Sequence, residues 1–547
     1  MNYRVAVVLL MVFAAVLFLA PAPAAAQQSC ESLASLSLTN ATITSATSVA
    51  AGGFRPPAGA GQPAPTANLP AFCRVAGVAK PSSDSEIKFE VWLPASDWNG
   101  KYQQVGNGGF AGTIPLSSMV QPLLRGYATA GTDDGHVAST DARWALGHPE
   151  KLIDFGYRGV HETSVQAKVI IHAFYGKDIA RSYFVGCSDG GREALMEAQR
   201  FPDDFGGIVA GAPANYWSHL LVGAVWGEKA LLDDPASYIP PDKLPVLQKA
   251  AVAACDNLDG VRDGLIEDPR QCHFDPAVVE CKGSDGPGCL TAPQVEAARK
   301  IYDGPKNPRT EAPIFPGYSP GTEAVPANWR VWITGNGPGQ QTLQAFFGNN
   351  FYSYMVFDNP KWDFHSFNFD SDVKTADDKT AAILNSADPD LRKFKARGGK
   401  LIQYHGWGDA AIPPQSSINY FESVQAAMGK KGRTPDFRAT QDFYRLFMVP
   451  GMSHCGGGIG ANVFGNGRSQ ETDAEHDVVS ALDRWVEKGV APDQIIATGW
   501  VEGDQAKGVA ITRPLCPYPQ EAHYKGAGDI NDASNFVCQV PSKSSKK

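Results

Sequence analysis

A set of residues suited to acyl transfer organises this chain. Gly186-Cys187-Ser188-Asp189-Gly190-Gly191 reads Gly-x-Ser-x-Gly, follows the apolar run Tyr183-Phe184-Val185 and precedes a helix-favouring stretch from Arg192 to Gln199. Strand, turn and helix in that order are the context of a nucleophile elbow, in which the serine takes a strained backbone conformation and flanking glycines let strand and helix approach closely. The turn exposes Ser188 Oγ and aims the Asp189 N–H at a developing oxyanion. By itself the pattern also occurs in ordinary Gly-rich turns, so its flanks carry the weight.

An acyl-transfer serine needs a base and a group that orients the base. In an α/β-hydrolase these follow in the order Asp or Glu, then His, each on a loop at the carboxyl end of a strand. Asp409 follows the run Lys400 to His405 across a Gly-Trp-Gly turn, and His454 follows Leu446 to Val449 across Pro-Gly-Met-Ser. Ser188, Asp409 and His454 are therefore the expected catalytic set. His405, His161 and His136 also sit near expected strand or helix ends; His405 reads as a support for the Asp409 loop. The Gly-rich loop Gly106-Asn107-Gly108-Gly109-Phe110-Ala111-Gly112 follows an early strand, where a second oxyanion donor is placed, with Gly108 and Gly109 the candidates. A flexible surface loop is the plainer alternative.

The 547 residues suffice for one large core carrying an insertion. Lys+Arg number 48 against Asp+Glu 57, with no long basic run, which argues against a nucleic-acid partner. Arg4, the apolar stretch Val5 to Ala20 and Ala24-Ala25-Ala26 read as a signal peptide cleaved before Gln27, with an uncleaved anchor as the alternative. No later stretch is suited to crossing a bilayer.

Export makes the ten cysteines legible as disulfides. Their clustering suggests Cys255 with Cys272, Cys281 with Cys289, Cys516 with Cys538, and Cys30 with Cys73. Cys187 and Cys455 remain, each beside an expected catalytic residue; if Ser188 and His454 face each other, these two are near enough to bridge. Cys187 as a thiol nucleophile is the rival, which export and the even count disfavour.

Supporting elements follow from periodicity. Ile87 to Leu93 alternates as a half-buried strand, Lys101 to Val105 and Gly126 to Thr132 are further strands, and Val160 to Tyr175 is a helix with Val165, Val169 and Ala173 on one face. Gly207 to Ala212 is the next buried strand. Ser45 to Asn68 reads as a surface arm. From Asn215 to Arg397 the strand and helix alternation stops, and Pro, Asn, Asp, Trp and four cysteines mark an inserted lid with helical pieces at Leu244 to Ala254 and Pro293 to Tyr302. Within it, Cys255 to Ile266 brings Asp256, Asp259 and Asp263 into one short loop. Hard oxygen ligands at this density suit calcium, with the carbonyls of Val261 and Leu265 to complete the shell. The spacing is not that of an EF-hand, so a solvated acidic turn or Asx turns stay open.

These residues together resemble the tannase and feruloyl esterase family of secreted serine esterases, which includes mono(2-hydroxyethyl) terephthalate hydrolases. The likeness covers nearly all of the mature chain. The Cys-Ser, Asp, His-Cys arrangement matches Cys187-Ser188, Asp409 and His454-Cys455, and a longer signature matches Gly186 to Arg192. The resemblance implies an α/β-hydrolase core with a large inserted lid domain, a Cys187–Cys455 bridge, the four other pairings given above, and Ca2+ at Asp256, Asp259, Val261, Asp263 and Leu265. The residue pattern divides the chain into a signal peptide (1–26), an arm and first core part (27–214), the lid (215–397) and a second core part (398–547), and the resemblance implies Ca2+ in that lid. It further implies hydrolysis of small esters of phenolic or other aromatic acids, feruloyl esterase or tannase type, in a secreted or periplasmic protein without a stable membrane anchor; a terephthalate monoester hydrolase is the alternative. The acid is expected under the lid, near Trp329 to Trp332 and Phe346 to Trp362. A non-catalytic calcium-dependent binding protein is the reading from another class, against which the intact Ser188, Asp409 and His454 speak.

Overall fold

The computed structural model describes residues 28–56, 68–137, 141–429, 437–466 and 471–541. The expected leader at 1–26 and the Lys-rich end at 543–547 lie outside them. Nine strands form one sheet: β1 (Ala41–Val49), β2 (Phe72–Ala79), β3 (Ile87–Pro94), β4 (Lys101–Val105), β5 (Ala128–Thr132), β6 (Arg181–Cys187), β7 (Gly207–Gly211), β8 (Lys400–Gly406) and β9 (Tyr444–Val449). Their spatial order is β1-β2-β3-β5-β4-β6-β7-β8-β9. The first three and β5 pair antiparallel, and from β5 onward every pair is parallel. Parallel strands covered on both faces need apolar side chains on both, which is why β7 (Gly-Ile-Val-Ala-Gly) is a continuous buried run.

Three expectations change here. Ser45 to Val49 belongs to β1 and pairs with β2, so the first part of the supposed arm is an edge strand; residues 57–67 of that arm lie outside the described ones. β3 sits between β2 and β5 and is buried along nearly its whole length, not on one face. Helix α1 (Gly159–Tyr175) forms where expected but turns the other way: Val165 and Val169 are exposed, while Thr163, Ser164 and Gln166 are buried beside Ala167, Ile170, Ile171 and Phe174. Polar residues on its core face obscured the stripe.

Helix α2 (Asp189–Arg200) follows β6 and is buried along most of its length. Between β7 and β8 the chain adds no strand to the sheet. It builds instead a helical insertion that includes α3 (Trp217–Leu232), α4 (Leu244–Cys255), α5 (Ala292–Asp303) and α6 (Leu343–Asn350). Two apolar clusters fill it, one around Trp217, Phe351 and Tyr352, the other around Leu247, Ile301 and Trp329. Helix α7 (Val478–Lys488) lies on β7 and β8 as expected, its N-terminus capped by Asp477, which also binds Arg125 through a two-pronged ion pair at 2.6 and 2.9 Å. Two small hairpins close the fold, β10 (Ile495–Trp500) with β11 (Val509–Leu515) and β12 (Glu521–Tyr524) with β13 (Phe536–Gln539). All five cysteine pairs are the expected ones, including Cys187–Cys455 across 268 residues.

Candidate active site

Ser188 stands between β6 and α2 with φ 67° and ψ −120°, a left-handed backbone that a non-glycine residue holds only when its surroundings impose it. The surroundings do so through close packing. A Cβ on Gly186 would lie 2.3 Å from the carbonyl oxygen of Gly190, and one on Gly191 would lie 2.3 Å from that of Gly211. The Ser188 amide donates to Gly211 O at 3.0 Å, and the Ser188 carbonyl accepts from Gly191, Arg192 and Ala214. The turn is therefore locked to the neighbouring strand.

His454 Nε2 lies 2.9 Å from Ser188 Oγ, and His454 Nδ1 lies 2.8 Å from Asp409 Oδ2. With Nδ1–H donating to the carboxylate, Nε2 is left to accept the serine proton. Asp409 is buried, and its oxygens are fully used: Oδ1 accepts from the amides of Ala411 at 2.7 Å and Ile412 at 3.0 Å, while Oδ2 also accepts from His405 Nε2 at 3.2 Å. Burial alone would raise this carboxyl, but the His454 charge and the hydrogen bonds from His405 and His454 hold it well below the usual carboxylate range. His405 thus supports Asp409, as expected, and is fixed in turn by Ser417 Oγ at 2.7 Å. The loops of Asp409 and His454 are joined by the Gly408 amide on Met452 O at 2.9 Å, and the Cys187–Cys455 bond ties the flanks of Ser188 and His454. The other two histidines lie elsewhere. His136 contacts the Phe110 carbonyl at 2.6 Å, and His161 pairs with Asp204 at 2.7 Å.

Of the first amides of α2, those of Gly190, Gly191 and Arg192 are engaged by Asn107 O and Ser188 O, which leaves Asp189 N–H, one of the donors a helix start cannot use internally. Beside Ser188 opens an apolar cavity whose wall includes Gly109, Trp217, Leu221, Trp332, Phe347 and Ile412. Gly109 is part of that wall and Gly108 is not. Trp332 also meets the His454 ring edge-on at 5.2 Å.

The arrangement has known counterparts. The family model for tannase and feruloyl esterase matches residues 73–539. The chain belongs to this family. An uncharacterised esterase of Xanthomonas campestris pv. campestris is 45% identical over 532 residues, 94% of this chain and 92% of that one. A probable feruloyl esterase B-2 of Aspergillus terreus is 34% identical over 476 residues, 86% of each. Among solved structures, feruloyl esterase B from Aspergillus oryzae superposes with a TM-score of 0.84 at 30% identity, covering 93% of this chain and 99% of that one. The tannin acyl hydrolase from Aspergillus niger gives 0.74 at 25% identity, covering 92% of each. The protein is a carboxylic ester hydrolase with the α/β-hydrolase fold.

Three further features of this esterase escaped the sequence reading. Arg192, known there only as the last letter of a signature, is fully buried: its Nε binds Asp189 Oδ1 at 2.6 Å, Nη1 and Nη2 bind the carbonyls of Gly156 and Phe155, and its guanidinium lies over Phe155 and Trp217. Glu193 and Asp134 are buried next to it. Glu193 stands four residues after Asp189 on α2, a spacing that looks like a solvated face, and Asp134 follows β5 in what reads as a polar turn, which hid both.

The candidate calcium loop supplies an all-oxygen donor set. Asp259 is pushed up to about 6 by burial and by neighbouring Asp263 and Asp256. Asp256 Oδ1 accepts from the amides of Asp263 and Gly264, and Arg513 of β11 binds Asp263 at 2.5 Å. Among the described residues, groups of three His or acidic side chains with ligand atoms within 4.8 Å of one another occur at Asp134, Asp189 and Glu193 and at His161, Glu197 and Asp204, and not at this loop. The loop also joins insertion to core, with Val261 packed near Cys516, Ala522 and Phe536, and Leu265 against Gly451.

Proposed function

We propose that this esterase is an exported serine hydrolase of esters of phenolic or other aromatic carboxylic acids. The observation that carries the reading is the Ser188–His454–Asp409 hydrogen-bond chain opening on an aromatic-lined apolar cavity. His454 takes the Ser188 proton as Oγ attacks the ester carbonyl, and Asp409 stabilises the imidazolium. The amides of Asp189 and Gly109 hold the oxyanion; Gly109 is preferred to Gly108 because it faces the cavity. His454 returns its proton to the leaving alcohol, and water, activated by the same imidazole, resolves the acyl-enzyme.

The insertion acts as a lid over the acyl group. The cavity is a narrow slot of about 40 Å³, so an acyl ring enters as Trp332 and Phe347, both only partly buried, turn aside. Trp329, Phe351 and Tyr352 are core residues of the insertion and take no part. Stacking on Trp332 or Phe347 contributes about 0.5–1.5 kcal/mol beyond area burial. Calcium bound by Asp256, Asp259, Asp263 and the carbonyls of Val261 and Leu265 would neutralise the crowded carboxylates and fasten the lid to the C-terminal strands. Five disulfides support export, and among the described residues no helix is long and apolar enough to cross a membrane.

The test is kcat/KM for methyl ferulate, methyl gallate and mono(2-hydroxyethyl) terephthalate against an aliphatic ester of similar size. Aromatic esters are expected to lead by about ten- to a hundredfold. Preference for the aliphatic ester overturns the substrate class.

A further inference from the structure

Behind the nucleophile turn, carboxyls from two elements converge. Asp189 and Glu193 stand four apart on α2 and Asp134 follows β5; an oxygen of each lies within 4.8 Å of the others, and all three residues are buried. Among the described residues, Arg192 is the cation that faces them. The Arg192 Nε binds Asp189 Oδ1 at 2.6 Å, and its other nitrogens are spent on the carbonyls of Gly156 and Phe155.

The cluster grips the Gly-rich loop at one residue. The Asn107 amide donates to Glu193 Oε2 at 3.0 Å, Asn107 Nδ2 donates to Asp134 Oδ2 at 2.9 Å, and the Asn107 carbonyl accepts from the Gly190 amide at 2.9 Å. A Cβ on Gly106 would lie 2.8 Å from Glu193 Oε2, so the contact is close. Gly108 and Gly109 follow directly.

Charge and hydrogen bonding fail to balance if all three acids are ionised. Asp134 Oδ1, Asp189 Oδ2 and Glu193 Oε1 are then buried without a partner. Three anions facing one guanidinium leave two uncompensated charges among buried side chains, a state that proteins avoid by keeping a proton. The neighbouring ionisable groups are engaged elsewhere: Glu197, one turn on, faces Asp204, His161 and Lys168; His136 binds Phe110 O; Asp154 binds Arg158; and Asp133 accepts from the Lys88 and Gly135 amides.

We propose that Glu193 is a positioning residue whose carboxyl proton is shared with Asp134 and Asp189, and that this clamp sets the Asn107–Gly109 backbone against the elbow where the oxyanion donors are needed. Burial points the same way, raising Asp134 and Asp189 to about 7 and Glu193 well above the usual carboxylate range. Loss of the shared proton at high pH puts like charges side by side and releases the loop. The inference rests on Ser188 being the nucleophile, as proposed above.

The test combines infrared spectroscopy with kinetics. Wild type and Ser188→Ala at neutral pH should both show the carbonyl stretch of a buried COOH, shifted in heavy water and missing in Glu193→Gln. In the full enzyme Glu193→Gln, which keeps an acceptor for Asn107 and a donor for Asp134, should hold kcat within about threefold, whereas Glu193→Ala should lower kcat about 10- to 100-fold with little change in KM. The alkaline fall in kcat should move to higher pH in the Gln variant. The proposal is overturned if no Glu193-dependent COOH band exists, or if Gln costs as much as Ala. If Ser188→Ala keeps its turnover while the band persists, the nucleophile assignment fails and the proton cluster stands.

Discussion

Two groups of three carboxyls sit in this esterase and are held by different means. Asp134, Asp189 and Glu193 lie under the Ser188 turn, buried, with Arg192 as their cation and Asn107 as the residue they grip. Asp256, Asp259 and Asp263 occupy a loop of the insertion whose backbone amides and Arg513 share the load. The first group belongs to the sheet core, where a shift of about 1 Å costs on the order of a hundredfold in rate. The second joins the insertion to β11 and the His454 side. Geometry at the reacting atoms is thus the property of the core, and on the function proposed above the insertion would contribute docking and selectivity. Damage to the core should stop turnover, while damage to the insertion should loosen or retune it.

The sharpest break is expected at the base. His454→Ala should lower kcat by about a thousandfold or more, because the triad acts as a unit; an insertion change as harmful to kcat would dissolve the distinction. Steady-state kinetics on a methyl ester of an aromatic acid measures it. Next comes the bond between the two flanks. Replacing Cys187 and Cys455 together by Ser should cost up to about 5–6 kcal/mol of stability, the chain-entropy limit for so long a loop, read by denaturant unfolding. Removing metal with a chelator should lower the melting temperature by several degrees, with limited proteolysis cutting within 215–397 before the core. Simultaneous loss of both regions would contradict a separately docked insertion. Smaller again, Trp332→Ala should reduce the preference for aromatic over aliphatic esters by about tenfold or less while sparing kcat on the aliphatic ester.

A pH effect separates the regions too. Burial of His136 lowers its imidazole to about 4, and the ring holds the Phe110 carbonyl of the Gly-rich loop. Below the ordinary histidine value of about 6.5 the unfolded chain binds a proton that the folded one refuses. Stability from this group is therefore complete above about 6.5 and is lost as pH falls towards about 4, and His136→Gln should flatten that slope in thermal melts.

How much of this was legible in the sequence follows the same division. Ser188, Asp409 and His454 announce themselves because strands of apolar residues end in glycine turns beside them, and the five cysteine pairs follow from clustering and from the two left over. The strands β1 and β2 were hidden by their small residues, the alanines of both and Gly77 of β2, which favour strands poorly. Helix α1 misled because Thr163, Ser164 and Gln166 face inward there. Glu193 was invisible for a stronger reason: an acid four residues from another on a helix signals solvent, and only tertiary burial with Arg192 and Asn107 reverses it. Among the aromatic residues, composition could not separate Trp332 and Phe347 at the cavity from Trp329, Phe351 and Tyr352 in the packing.

The central claim is that Ser188 forms the acyl-enzyme. Rapid acid quench of the enzyme with a slowly turned-over aromatic ester, followed by peptide mass mapping, tests it most directly. The account predicts one acyl group on the peptide holding Ser188, absent in Ser188→Ala, whose turnover falls by about a thousandfold or more. An acyl group on another residue, or near-native turnover in Ser188→Ala, would contradict it.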